Sequence, residues 1–468
     1  MNEIKADICV IGAGSAGLTV AAASASLEQT VVLIEAGKMG GDCLNTGCVP
    51  SKSLIAAARH AAAARDGARF GVYAEPRIDF PAVQTRVVDV VASIAPHDSV
   101  ERFESLGVTV LRERAHFEAD GTVVAGPASV RARRTVIATG SRPFIPPIEG
   151  LADCAPLTNE SVFDLTRLPA RLAIIGGGAV GVELGQAFAA LGAGVTIIEE
   201  GHLLSKEDPE AVAIVRRALQ EGGVEIMEET RLLRCSARDG TRTLTLSDGR
   251  TIEADEILVA TGRRPNIEGL ALDAVGVAHD AHGITVDHAM RTTNRRIYAI
   301  GDVTGGLQFT HVAGHQASLV VRSIVFRLPV RYAPDTMPRV TYTMPEIAQV
   351  GLTAAEAAAR DPSATTQTAA LCETDRGRTD GATDGFVKLV ISGRGRLLGA
   401  TIVAPTAGDI ASTYALALAA KVKLSTLASY VPPYPTLAEA GKRAAVGHFA
   451  AKLDALWIRR LLRWLKRL

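Results

Sequence analysis

Cysteine is scarce in this sequence. Six residues (Cys9, Cys43, Cys48, Cys154, Cys235 and Cys372) are spread through 468, too thinly for the disulfide framework of a small secreted scaffold. Excess charge of either sign is also missing. Fifty basic side chains stand against 50 acidic ones, so nothing overall draws the chain to nucleic acid or to an anionic surface. There is no apolar run of about 18 residues to span a bilayer. Nor is there a basic start followed by an apolar stretch and a cleavage site, so no signal peptide is expected. A soluble protein of a reducing compartment is expected, with the cytoplasm as its place. The length calls for roughly two to four domains. Cys9, Cys154, Cys235 and Cys372 stand singly and read as small hydrophobes.

The other two cysteines are close together. Gly40 to Lys52 reads GGDCLNTGCVPSK, with four residues between Cys43 and Cys48. Asn45, Thr46 and Gly47 suit a bend that would bring two thiols together. Pro50 suits the first turn of the alanine-rich helix that follows, and a helix start lowers the pKa of a nearby thiol. On spacing alone, the pair reads either as a small disulfide loop or as two unpaired core cysteines.

Around this segment the chain repeats one device. Residues 6–35 read as strand, helix, strand, with Gly12, Gly14 and Gly17 forming G-x-G-x-x-G between the first strand and the helix. The first two glycines let backbone N–H groups approach a pyrophosphate, and the third lets helix and strand pack closely. Glu35 ends the second strand 18 residues after Gly17, where an acid can hydrogen-bond a ribose. The device returns from Arg171, with Gly176, Gly178 and Gly181, then Glu199 again 18 residues after the last glycine. Two copies predict two bound dinucleotides. Glu199 would accept from a free ribose 2′-hydroxyl and repel a 2′-phosphate. No arginine follows closely, which favours NAD(H) over NADP(H). Residues 53–106 read as helical with breaks near Pro76 and Pro81, residues 107–139 as antiparallel strands, and residues 144–150 as a linker.

GGDCLNTGCVPSK, directly after the first fingerprint, resembles the redox-active segment of the pyridine nucleotide-disulfide oxidoreductases. That flavoprotein family includes dihydrolipoamide dehydrogenase, glutathione reductase and mercuric reductase. Ala138-Thr139-Gly140 and Ala260-Thr261-Gly262 resemble the family's crossings between its nucleotide domains, and Gly301-Asp302 resembles its second FAD motif. Phe309 to Ala317, with His311, is similar to the helix start beneath the flavin. The resemblance runs over nearly the whole chain. It implies an α/β fold of two Rossmann-like dinucleotide-binding domains, for FAD and NAD, plus a C-terminal α+β dimerisation domain. The expected bounds are 1–146 and 266–335 for the FAD domain, 147–265 for the NAD(P) domain and 336–450 for dimerisation. It also implies a homodimer whose subunits complete each other's active sites.

By family position, a hydride passes from NADH through the flavin to a Cys43–Cys48 disulfide. Cys48 faces the flavin and Cys43 attacks the substrate. Lys52 sits near flavin N5, with Glu183 as its partner. His311 and His315 read as cofactor packing or a surface pair, and no metal site is expected, because no nearby cysteine or acid completes a ligand set.

Three departures narrow the reading. Dihydrolipoamide dehydrogenases and glutathione reductases carry a His-Pro pair with a glutamate five residues after the histidine, an acid–base supplied across the dimer. Here the glutamate stays as Glu439 and the histidine is Tyr434, a phenol and so a poor proton acceptor near neutral pH. Mercuric reductases place a tyrosine there but add a C-terminal cysteine pair, and no cysteine follows Cys372. Ala179 stands where many relatives gate the nicotinamide pocket with a tyrosine. The resemblance is therefore nearest to the mercuric reductase-like branch, and the acceptor expected is a small disulfide, a dithiol or a soft metal. Residues 451–468 add a basic amphipathic helix suited to an anionic membrane surface, a partner groove or its own dimer. Alternatives to the main reading are a dihydrolipoamide dehydrogenase running towards NAD, a membrane-surface NADH:quinone reductase, and an idle flavoprotein that senses or docks.

Overall fold

The computed structural model describes residues 2–453 and 456–466. The chain forms two compact units, Met1–Glu200 with Ile226–Ala333, and Gly201–Glu225 with Pro334–Leu468.

The first unit carries a seven-stranded sheet. Its central strand, Asn2–Ile11, pairs in parallel with Val31–Ile34 on one side and Ala128–Ile137 on the other. All four residues of Val31–Ile34 are buried, as fits a parallel strand covered on both faces. Leu33 and Ile34 each contribute about 1.5–3 kcal/mol by leaving water. Residues 107–139 differ from the expected antiparallel set. Thr109–Leu111 joins the parallel edge, and Ala128–Ile137 is itself a parallel strand. Only Ala115–Phe117, Val123–Ala125 and the start of Ala128–Ile137 make the antiparallel meander. Alternating apolar and polar residues report one wet face and say nothing of strand direction.

A second parallel arrangement repeats the first. Arg171–Ile175 lies between Gly194–Ile198 and Glu256–Val259, in a four-stranded sheet with Val224–Met227 at its edge. An antiparallel sheet of Leu232–Arg238, Thr241–Leu246 and Thr251–Ala254 accompanies it. The two crossings between the nucleotide-binding parts run side by side as the antiparallel strands Ser141–Pro143 and Arg263–Pro265.

The second unit is a five-stranded antiparallel sheet covered by the helices Ala407–Ala419 and Glu439–Leu453. Residues 201–225, within the expected 147–265, lie in one compact unit with this sheet, held by ion pairs and by the buried Val212, Val215 and Leu219. Asp208 caps the helix Pro209–Glu221 and also receives the buried Lys388 ammonium at 2.8 and 2.9 Å, while Glu207 pairs with Arg339 at 3.0 Å. The C-terminal segment is helical over Leu456–Leu465, where Leu462, Trp464 and Leu465 are exposed. Residues 454, 455, 467 and 468 of the expected tail helix lie outside the described residues. No described helix is long and apolar enough to cross a membrane.

Lys388 and Asp208 are almost fully removed from water, so deleting the cation leaves an uncompensated buried carboxylate. Lys388→Ala is expected to cost about 3–5 kcal/mol, seen as a lower midpoint in thermal unfolding. An unchanged midpoint would show that the pair carries no net stability.

Candidate active site

The two glycine devices match in backbone geometry. Gly12 and Gly176 both take positive φ, +106° and +110°, and a Cβ on either would run into the carbonyl of Ala138 or Ala260. Those two alanines open the Ala-Thr-Gly crossings, so each crossing is packed directly against its glycine turn. Gly14 and Gly178 are the N-caps of the helices Ser15–Ala25 and Ala179–Leu191, and neither helix has an acid in its first turn. The free N–H groups and the positive helix ends therefore face an incoming anion unopposed. Gly17 and Gly181 lie flat on the carbonyls of Gly12 and Gly176. Glu35 accepts from the N–H of Ala13 at 2.5 Å and of Gly37 at 2.6 Å, and Glu199 accepts from Gly177 N–H at 2.6 Å. These residues fit two dinucleotides, with a pyrophosphate at each helix start and a ribose at each acid.

The cysteine segment presses on the first device. Gly40 donates to the Ala13 carbonyl at 2.9 Å, and Gly41 packs against Gly14 so closely that a Cβ would stand 2.7 Å from its Cα. A short helix, Gly41–Asn45, carries Cys43, and the long helix Cys48–Asp66 begins with Cys48 itself. Asn45 Nδ2 ties the loop to the carbonyls of Met39 and Gly41. Pro50 falls in the first helical turn, where its missing N–H leaves no bond unmade.

The two thiols are unequal. Cys48 is pulled down to about 6, chiefly by the hydrogen bond from Cys43, then by Thr310 and the Lys52 charge, against desolvation and Asp42. Cys43 is pushed up, first by sharing that proton with Cys48 and then by burial. Cys48 Sγ lies 3.4 Å from Thr310 Oγ1, at the start of the helix Thr310–Val325. At neutral pH the reduced pair thus carries a thiolate on Cys48 and a proton on Cys43.

Lys52 follows Cys48 by one helical turn and so shares its face. Its Nζ lies 2.7 Å from Glu183 Oε2, and the Glu183 side chain is only 7% exposed. Asp302, in the turn Gly301–Thr304, accepts from Ser141 Oγ at 2.7 Å, and burial raises its carboxyl above the ordinary range. Thr139 Oγ1 donates to the Asn266 carbonyl and Asn266 Nδ2 donates back to the Thr139 carbonyl, while Asn266 N–H binds Gly140. Thr261, before Gly262, donates to the Phe144 carbonyl at 2.9 Å. The His311 ring stacks on Phe309, and His315 faces Tyr332.

Three polar residues not singled out from the sequence link these parts. Arg263 donates to Ser141 Oγ at 2.7 Å and reaches Asp42 at 3.4 Å and Asp302 at 3.8 Å. Asn159 donates to Asp42 at 2.9 Å and to the Thr46 carbonyl at 3.2 Å. The signal for Asp42 and Arg263 was their position, inside the cysteine segment and directly after Gly262. Asn159 gave none. In the second unit, Tyr434 hydroxyl donates to Asp375 at 2.8 Å, which raises its pKa, while Glu439 accepts from Thr436 N–H at 3.1 Å. Both residues of the expected acid–base pair thus hold a hydrogen bond within their own chain.

In the reduced enzyme, alkylation of Cys48 by iodoacetamide should lose rate as pH falls through about 6, where the thiolate is protonated. Cys43→Ala removes the largest stabilising contact and should move that midpoint up further than Lys52→Met does, whereas Asp42→Asn should move it down. A midpoint unmoved in Cys43→Ala would refute the coupling.

Residues 6–317 match the family model described as pyridine nucleotide-disulphide oxidoreductase, and residues 337–445 match its dimerisation domain. A mercuric reductase of Streptomyces lividans is 37% identical, covering 94% of this chain and 95% of its own length. A dihydrolipoyl dehydrogenase of Geobacillus stearothermophilus is 33% identical over 94% of this chain and 96% of its own. A solved Cu(II) complex of the HOCl-induced flavoprotein disulfide reductase RclA from Escherichia coli superposes with a TM-score of 0.84. It is 26% identical and covers 93% of this chain and 98% of that one. With twin nucleotide sites flanking a cysteine pair, and relatives matched nearly end to end, the chain belongs to the pyridine nucleotide-disulphide oxidoreductases, enzymes that use FAD and NAD(P)H.

Proposed function

We propose that this chain is a homodimeric, NADH-dependent FAD enzyme that reduces a soft-metal ion or a disulfide through Cys43 and Cys48, with the soft metal as the better-matched acceptor. The observation that carries this reading is the unequal thiol pair beside the Lys52–Glu183 ion pair. Bound FAD supplies the hydride acceptor that separates the two-electron step at NADH from the sulfur chemistry. Glu199, its carboxylate fixed on Gly177 N–H, favours a ribose with a free 2′-hydroxyl and hence NADH. Lys52, held in place by Glu183, sets a positive charge one turn from Cys48, where negative charge has to be accommodated.

The choice of acceptor follows from proton handling. A dithiol or disulfide substrate needs a group to take and return protons, the more so because Cys43 holds its own proton tightly. Tyr434 stands where the family places that group, and Asp375 pushes the phenol further from neutrality. A soft metal ion needs no such base, because binding to sulfur itself displaces the thiol protons. The electrons balance simply: NADH yields two, which reduce one Hg(II) or two Cu(II), and one proton is released. The mercuric reductase and the Cu(II)-bound RclA among the relatives are consistent with such acceptors. By family position Cys43 is the thiol that meets the acceptor and Cys48 the one that faces the flavin, so the ion would be taken up first at Cys43, which is half-buried on this chain.

Anaerobic titration of the FAD-loaded dimer with NADH tests the relay. A long-wavelength absorbance band between Cys48 thiolate and oxidised FAD is expected, and Cys48→Ser should abolish it. Bleaching of the flavin without that band would make the cysteines bystanders and sink the proposal. The proton argument has its own test. Tyr434→His should raise lipoamide turnover by ~100-fold, the low end of what a placed acid–base contributes, while leaving Hg(II)-dependent NADH oxidation within about 3-fold. Lipoamide turnover unmoved by the histidine would show that Tyr434 is not what limits dithiol chemistry.

A further inference from the structure

The sequence treats Cys154 and Cys235 as isolated core residues, and the structure corrects that. The two sit 81 residues apart in sequence, yet their Sγ atoms approach to 2.6 Å inside the core around the three-stranded antiparallel sheet. Neither belongs to the glycine devices or to the Cys43–Cys48 site. We infer that Cys154 and Cys235 form a second redox pair, which an oxidant of the hypohalous-acid class closes to a disulfide stapling the start of the NAD-binding segment to the strand Leu232–Arg238.

The backbone already holds the two cysteines in register. Cys235 N–H donates to the Glu149 carbonyl at 2.8 Å, Glu149 and Arg234 form a parallel bridge, and Cys154 N–H turns back to Gly150 and Leu151. Little backbone movement separates the thiol pair from a bond. The side chains are buried, at 2% and 6% exposure, with Arg234 and Ser236 on the outer face of the strand, so a small oxidant reaches the pair through local opening of this sheet.

Burial and the neighbouring thiol push Cys235 up to about 12. That makes it a poor nucleophile for exchange with small disulfides, which run through the thiolate. An oxidant that attacks the neutral thiol meets no such obstacle, which is why the hypohalous class fits. The first sulfur takes the halogen while its proton and the oxidant's hydroxyl leave as water. The second sulfur then displaces halide and releases its proton. Two S–H bonds are lost, one S–S bond forms, and the halogen gains both electrons.

The experiment uses the FAD-loaded dimer, reduced, desalted and treated with a few equivalents of hypochlorous acid. It is then denatured in N-ethylmaleimide and digested without reduction. A linked peptide joining Cys154 to Cys235 is expected, with a rise of roughly 3–6 °C in the unfolding midpoint from closing a loop of this length. Both signals should survive in Cys43→Ser/Cys48→Ser and vanish in Cys154→Ala/Cys235→Ala. Recovery of Cys154 and Cys235 as alkylated peptides, under conditions that oxidise Cys43 and Cys48, would overturn the inference. So would a linked peptide with no change in the midpoint.

Discussion

A carboxylate taken out of water must be given a cation, and Glu183 is given Lys52. Their 2.7 Å contact joins the helix that begins at Cys48 to the helix that begins after Gly178. Removing Lys52 leaves the buried Glu183 carboxylate without its cation, at a cost of several kcal/mol, whereas Lys52 itself keeps access to water. The pair therefore fixes the long helix in rotation and along its axis. Cys48, one turn before Lys52, inherits that placement, and so does the loop that carries Cys43. A redox pair whose geometry has to survive repeated opening and closing gains from being hung on an interaction this costly to break.

Around that anchor, charge is balanced at short range. Lys52 draws negative charge to Cys48 and Asp42 opposes it. Asp42 is itself restrained by Asn159 and Arg263. Arg263 also reaches Ser141 and Asp302, so one guanidinium couples the cysteine loop, the interdomain crossing and the second FAD motif. Of the groups Arg263 reaches, Asp42 is the one that bears on the Cys48 thiolate. The crossing helps to hold that carboxylate in place through Arg263.

The parts legible in the sequence are those whose physics is local. A glycine turn, a helix start and an acid at a strand end sit at fixed short offsets, so both nucleotide devices could be read, and the Cys48–Lys52 helical spacing likewise. Strand direction in 107–139 was not legible, because alternation encodes exposure alone. Residues 201–225 follow the nucleotide-binding strands in sequence but are claimed by Lys388 and Arg339, more than 130 positions away. Asp375 and the meeting of Cys154 with Cys235 were invisible for the same reason. Lys52 and Glu183, 131 residues apart, could be paired only through the family resemblance.

The two nucleotide devices are near-identical in backbone, yet they are unequal as sites. At the first, the cysteine segment lies across the mouth: Gly41 touches Gly14, and Gly40 is bonded to Ala13. At the second, nothing stands within 4 Å of where a Gly178 side chain would begin, Ala179 adds only a methyl group, and the neighbouring Val180 is exposed. A dinucleotide under a packed loop can leave only if that loop moves, whereas one at an open mouth exchanges with solvent. The family's division of labour needs that inequality, since FAD must stay through many turnovers and NADH must be replaced at each one. The asymmetry arises from what the chain lays over each copy of the device, not from the glycines themselves. It also explains why the cysteine segment follows the first fingerprint directly. The loop laid over the first device is the one that carries the cysteine pair.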